Sequence, residues 1–372
     1  MHQSTHTGAR TTSTAARSPS PTTAPAEPPA EPPVPEPAAA SDYAPSLLAP
    51  FNENEDDADS AYGGSSAGTD TTSLLSSIAR YREENGRTYH SYGTFEHWGP
   101  NDEKAQDQQD LSHHLWSLAL KGNLFLAPVQ NPKHVLDLGT GTGIWSIEVA
   151  EQFPDAQVRG IDLSPIQPSW VPPNCFFEID DFNVEWIDEN KFDLIHGREL
   201  LGTAPDWLSV YSSALKALRP GGWFEQHEPS LFFRSSVQEL DESHPFPQWG
   251  KLMTEAGYKA SARFDIGAEL KGWMEQAGFI NVTEYRMPWL IGGWSKDKHE
   301  REVGQWNQLR LDLGIADFCS RRFHNHMGQS PEEIEVFCAH LRAAFRDKSL
   351  YAYQWAHFVY GQRPPEDATT AA

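Results

Sequence analysis

The chain has 372 residues, 38% hydrophobic and 22% charged, with a formal net charge of -23. That balance argues against a basic face for nucleic acid or an anionic membrane surface, and no run of eighteen apolar residues exists to cross a bilayer. Cys175, Cys319 and Cys338 are odd in number and widely spaced, without a C-x-x-C, which predicts a reduced intracellular protein and no structural zinc site.

Residues 1 to about 75 are rich in Ser, Thr, Pro and Ala and then acidic with Gly and Ser. Pro28, Pro29, Pro32, Pro33 and Pro35 exclude a helix there. Too little apolar surface is present to offset ordering entropy, so a disordered N-terminal tail is expected, with a docking tail as the functional alternative. No hydrophobic signal core opens the chain, and Arg10 and Arg17 among Ser and Thr are the only hint of a presequence. A folded domain is expected over 76–362, followed by a C-terminal tail at 363–372.

Within that domain, Asp107 to Leu120 has the apolar spacing of a helix, through Leu111, Leu115 and Leu118. Strands are predicted at 134–138, 157–161, 175–179, 192–196 and 222–227, alternating with helices at 144–153 and 207–218. A helix at 268–277, a sixth strand at 281–289 and a last strand at 351–360 complete the pattern. Ser330-Pro331-Glu332-Glu333 reads as a capping box with proline at the first helical position. Alternation of strands and helices predicts an α/β fold with a parallel sheet.

The most informative segment is His134 to Gly143, a buried strand running into Gly139, Gly141 and Gly143. A helix follows, then a second strand ending at Asp162, the layout of a nucleotide crevice. The dinucleotide fingerprint is G-x-G-x-x-G, whereas this spacing is G-x-G-x-G with Ile144 at the sixth place. Asp137, two residues before the first glycine, is poorly placed for a diphosphate and well placed for an ammonium group. Both departures favour S-adenosylmethionine as cofactor, with Asp137 supporting its amine and Asp162 taking the ribose hydroxyls. An unliganded glycine turn is the alternative.

Taken together, the motifs resemble those of class I S-adenosylmethionine-dependent methyltransferases, and more narrowly the fungal LaeA-like methyltransferases. The resemblance spans about residues 80 to 362 and lies in Glu84 to His90, Asp107 to His114, Gly141 to Trp145, Asp162 to Pro168, Ile195 to Arg198 and Pro220 to Trp223. It implies a Rossmann-like seven-stranded sheet with the last strand antiparallel, helical cap insertions at about 229–264 and 291–349, and ligands beyond the carboxyl ends of the parallel strands. It also implies an acid on the adenine amino group at the end of the third strand, where Asp181 is chosen over Asp180 and a solvated turn is the alternative. Some members of that family are nuclear regulators of secondary metabolism that associate with velvet-type proteins; others are tailoring enzymes. The plain Pro-Gly-Gly-Trp turn and the Gly-Thr-Gly-Thr-Gly loop depart from the regulator pattern.

Tyr89 and His90, ahead of the core, are candidates for a lid over the cofactor, with packing as the alternative. Just past the expected end of the fifth strand, His227 is the candidate base, an orienting histidine being the alternative. His113, His114, His324 and His326 lack ligand spacing and are read as structural, so no metal is expected. The aromatics of the two insertions suit a bulky, partly apolar acceptor or else form the cap's own core. The resulting expectation is a cytoplasmic enzyme that methylates a small molecule of fungal secondary metabolism; a nuclear regulator is the alternative.

Overall fold

The computed structural model describes residues 81–366. The tail expected over 1–75, and the order expected from Leu74, lie outside the described residues. A hairpin of β1 (Arg82–Glu84) and β2 (Arg87–Tyr89) precedes helix α1 (Glu103–Ala119). That helix starts before Asp107 because the Asp102 side chain accepts from the Ala105 N–H at 3.1 Å and caps a polar first turn that apolar spacing does not reveal.

The core then alternates: β3 (His134–Leu138), α2 (Ile144–Gln152), β4 (Gln157–Asp162), β5 (Cys175–Ile179), β6 (Phe192–Arg198), α3 (Trp207–Ala217) and β7 (Leu218–Pro229). After it come β8 (Arg234–Ser235), α4 (Pro245–Lys259), α5 (Leu270–Ala277), β9 (Ile280–Leu290), α6 (Lys298–Met327), α7 (Pro331–Arg346) and β10 (Ala352–Gln362). The sheet runs β5-β4-β3-β6-β7-β10, with β9 on the free side of β10 and β8 pairing two residues near its start. Strands β3 to β7 pair in parallel, and β10 is antiparallel to both β7 and β9. This is the expected seven-stranded layout, with β8 as a small addition.

Burial explains the arrangement. Val135, Leu136, Leu138, Phe192, Leu194 and Ile195 are buried, which matches near-continuous apolar strands covered on both faces. Because β3 pairs with β4 on one side and β6 on the other, strand order reverses there, and a crevice opens at the carboxyl ends.

The two insertions supply helices. From 229–264 comes α4, and from 291–349 come α6 and α7, which pack against one another, while α6 also lies along α1. The capping box of α7 is present, with Glu333 N–H on Ser330 Oγ at 3.2 Å and Ser330 N–H on Glu333 Oε2 at 2.8 Å. Phe233, Phe246, Trp249, Phe323 and Phe345 are buried together, with Phe233 and Phe345 edge to face at 4.9 Å. Most of the insertions' aromatics therefore form the cap's own core. Replacing the buried Trp249 by Ala removes its stack on Phe233 and its Nε1–H bond to the Leu231 carbonyl at 3.0 Å. Chemical denaturation is expected to show a loss of about 3–5 kcal/mol.

Candidate active site

Four parallel strands end at one cavity of about 210 Å³, against about 10 Å³ for the cleft behind it. Gly139–Thr142 follow β3, Asp162–Ser164 end β4, Asp180–Asn183 follow β5 and Arg198–Leu200 end β6, and all line this cavity. The loop after β3 passes through left-handed backbone, with φ of +62° at Gly139 and +59° at Gly141, a conformation that side chains rarely adopt. A Cβ on Gly139 would also lie 2.6 Å from Leu200 Cδ2. The loop is braced from outside. Gln109 of α1 accepts the Thr142 N–H at 3.1 Å, and Gln167 donates to the Gly141 carbonyl at 2.7 Å.

Asp162 is half-buried at the tip of β4. Its two oxygens accept the N–H groups of Gly141 and Ser164 at 2.8 and 2.9 Å. Burial nevertheless pushes its carboxyl up to about 6, against those bonds. Asp181 is differently placed. One oxygen accepts from the Thr94 N–H and hydroxyl, both at 2.9 Å, and the other from the Asn183 N–H and Nδ2, both at 3.0 Å. Burial opposes its ionisation, but these bonds outweigh it and hold the carboxyl below its usual range. With four donors, its acceptor sites are filled. At the same edge, Asn183 lines the cavity, and its buried side-chain oxygen has no hydrogen-bond partner.

The segment 90–101 folds back as a strap over the cavity. His90, Phe95 and residues 97–101 line it. Thr94 ties the strap to Asp181, Trp98 Nε1–H reaches the Leu201 carbonyl at 2.8 Å, and Asn101 reaches Ser164 at 3.1 Å. From α6, Arg321 and Arg322 donate to the carbonyls of His97 and Glu96 at 2.8 and 2.7 Å. The far wall belongs to α1 and α6: Gln108 and Ser112 from the first, Arg310, Gly314, Asp317 and Phe318 from the second. Trp98 stacks on Phe318 with centroids 4.9 Å apart.

Of the residues singled out in the sequence, His90, Gly139, Gly141, Asp162 and Asp181 line the cavity, while Asp137, Gly143, Tyr89 and His227 do not. Asp137 is buried behind the loop, where it accepts from Thr140 and Ser146 hydroxyls at 2.7 and 2.9 Å and pairs with His196 Nδ1 at 3.1 Å. Gly143 forms the N-cap of α2 against Phe177. Tyr89 is buried beneath the Arg321 guanidinium, 4.4 Å from its ring, so the residues after it line the cavity instead. His227 is inside β7, not past its end, since pairing with β10 extends the strand to Pro229. Its ring is fully buried, stacked on Trp116 and bonded to Glu225. Only the 291–349 insertion lines the cavity; the 229–264 insertion packs behind it.

Sequence reasoning missed Trp98, Asn183, Glu199 and Arg310, whereas Phe318 is one of the 291–349 aromatics expected to suit an acceptor. On α1 the signal is weak: Gln108 and Ser112, at i and i+4, are polar breaks within the same face that Leu111 and Leu115 occupy. For α6 no such signal exists, because its polar residues are buried against other elements. Among the described residues, no group of three or more His, Cys, Asp or Glu is placed to hold a metal ion.

A sheet of this order with a glycine loop and an acid at the next strand's tip defines a class I methyltransferase. A family profile described as a methyltransferase domain matches residues 111–284. Methyltransferase pytC of Aspergillus terreus is 34% identical over 295 residues, 79% of this chain and 91% of that protein. The secondary metabolism regulator laeA of Aspergillus flavus is 33% identical over 76% of this chain and 78% of its own. The protein-methionine methyltransferase laeA of Emericella nidulans is 33% identical, with 77% of each chain covered. The chain belongs to the LaeA-like family of S-adenosylmethionine-dependent methyltransferases.

Asp181→Ala strips the acceptor from Thr94 and Asn183 and loosens the strap. Amide exchange at Thr94 is expected to accelerate about tenfold or more, which hydrogen-exchange mass spectrometry reads directly.

Proposed function

We propose that this protein methylates a small, partly aromatic acceptor of fungal secondary metabolism, working in the cytoplasm. The supporting observation is the continuity of the cavity: the glycine loop and Asp162 share one space with Trp98, Phe318, Glu199 and Arg310. One end suits the cofactor and the other a second molecule. The pytC protein, named only as a methyltransferase and covered over 91% of its length, is consistent with this reading.

The residues fit S-adenosylmethionine. The left-handed glycine loop lets a ligand approach its backbone without a Cβ between them. Asp162 would take the ribose hydroxyls. Because Asp181 is filled by its own neighbours, the adenine amino group would be taken by Asn183, whose buried side-chain oxygen lacks a partner. Asp137 would act at one remove, by fixing the loop against α2 and β6. Bound there, the cofactor supplies a methyl group on a sulfonium leaving group. The chain's own work is to align the acceptor and exclude water, which the strap and α6 accomplish by closing over the crevice.

A second reading is a nuclear regulator acting through velvet-type partners, favoured by relatives named as regulators of secondary metabolism. Metabolite profiling of a strain lacking this chain separates the two. One lost product differing by a methyl group supports the enzyme, and loss of many unrelated products supports the regulator.

Asp162→Ala is expected to weaken S-adenosylmethionine binding at least about tenfold by calorimetry, since charge-assisted hydrogen bonds are lost. Unchanged affinity would refute the assignment. Ionised Asp162 is the acceptor of the ribose protons, and its carboxyl titrates at about 6. Affinity is therefore full above pH 6 and declines as pH falls through that value, by up to about tenfold per pH unit.

A further inference from the structure

We propose that Glu199 and Arg310 together recognise an acceptor hydroxyl lying beside a carbonyl, and that Glu199 is the base that takes the hydroxyl proton. The inference rests on the methyltransferase reading of the cavity. It starts from what the two side chains have left open.

Glu199 directly follows β6 and is held in left-handed backbone, with φ of +55°, its N–H on the His227 carbonyl at 2.9 Å. Its Oε1 accepts three bonds: Ser112 Oγ at 2.6 Å, Trp116 Nε1 at 2.8 Å and Arg310 Nη2 at 2.8 Å. That oxygen is filled. The other, Oε2, has no partner among the described residues, and the side chain is 23% exposed on the cavity wall. Burial opposes ionisation of Glu199, but the Arg310 charge and the bonds from Ser112 and Trp116 outweigh it and hold the carboxyl below its usual range. At neutral pH it is a carboxylate with one free, oriented oxygen.

Arg310 is the complement. Its side chain is 4% exposed; Nε donates to Ser112 Oγ at 3.1 Å and Nη2 to Glu199. The guanidinium carbon lies 5.8 Å from the ring centroids of both Trp289 and Phe318, which restrict its movement. No partner among the described residues takes the two protons of Nη1. A held guanidinium with two donors unmade is a ready partner for an acceptor on a ligand. The two side chains are joined through Nη2 and Oε1 and line the same cavity as the stacked rings of Trp98 and Phe318, so one unfilled guanidinium nitrogen and one unfilled carboxylate oxygen belong to a single bonded pair on its wall. A planar molecule carrying a hydroxyl and a neighbouring carbonyl satisfies both.

In the step itself the acceptor oxygen bonds to the methyl carbon as the methyl–sulfur bond breaks, its electron pair staying on sulfur to leave S-adenosylhomocysteine. The hydroxyl proton passes to Glu199 Oε2 and from there to solvent. His227, enclosed within β7, has no part in this transfer.

The test uses the full chain saturated with S-adenosylhomocysteine and three probes: 2′-hydroxyacetophenone, acetophenone and phenol. Calorimetry is expected to show the hydroxy ketone binding about tenfold more tightly than either single-group probe. In Glu199→Gln the preference over acetophenone disappears, and methyl transfer to the hydroxy ketone falls about 100-fold or more. In Arg310→Met the preference over phenol disappears. Affinity for S-adenosylhomocysteine stays within about twofold in both variants, which shows that the fold and cofactor half are intact. Should Arg310→Met fail to fold, Glu199→Gln alone decides. Equal binding of the three probes, no methyl transfer by the unaltered chain, or a hydroxyl preference surviving in Glu199→Gln would overturn the proposal. Failure of the unaltered chain to bind S-adenosylhomocysteine would instead overturn the cofactor reading beneath it.

Discussion

Asp137 is 3% exposed, and a carboxylate so placed must have all its bonding needs met by the protein. It accepts from Thr140 in the loop and from Ser146 in the first turns of α2, and it meets His196 on β6. Three elements are thereby fixed to the end of β3. His196 is in turn stacked on Trp145 of α2 at 3.7 Å, and burial depresses its imidazole to about 4, so it stays neutral beside the carboxylate. The crevice depends on this junction, because the loop's left-handed glycines have no side chains with which to hold themselves in place.

From that junction the cavity is assembled in two halves of different origin. The sheet supplies the half proposed for the cofactor, through the ends of β3, β4 and β5, a consequence of parallel strands that all finish at one edge. The half proposed for the acceptor is lined by α1, α6 and the strap. Glu199 joins the two, since it directly follows β6 yet bonds to Ser112 and Trp116 of α1 and to Arg310 of α6. Chemistry on this scaffold therefore needs the helices to dock on the sheet, which explains why so much aromatic surface is buried behind α6.

The strap shows how electrostatics replaces apolar packing where a segment must lie over a polar crevice. Arg87 pairs with Asp102 at the start of α1 and with Asp317 of α6, and these charges hold its guanidinium above its usual range. Arg321 reaches Glu84 at 2.7 Å and Glu96 at 3.1 Å. These pairs are half-buried, so each retains more of its Coulombic attraction than an exposed pair would. Thr94 completes the closure by meeting Asp181, which turns an expected cofactor acid into a structural tether.

The α/β order, the seven strands, the glycine loop and Asp162 were legible in the chain because each rests on local chemistry: strand periodicity, backbone freedom at glycine, an acid at a strand's tip. The capping box of α7 was legible for the same reason. What surrounds those features was decided only by tertiary structure. Whether His227 faced the crevice depended on how far β10 extended β7; whether Asp181 was free depended on Thr94, 87 residues away. Arg310 and Glu199 lie 111 residues apart and are bonded only once α6 docks along α1. Short-range steric and hydrogen-bond rules act within a few residues and can be read along the chain, whereas the occupancy of a side chain's bonding sites is set by neighbours that only the packed fold brings near.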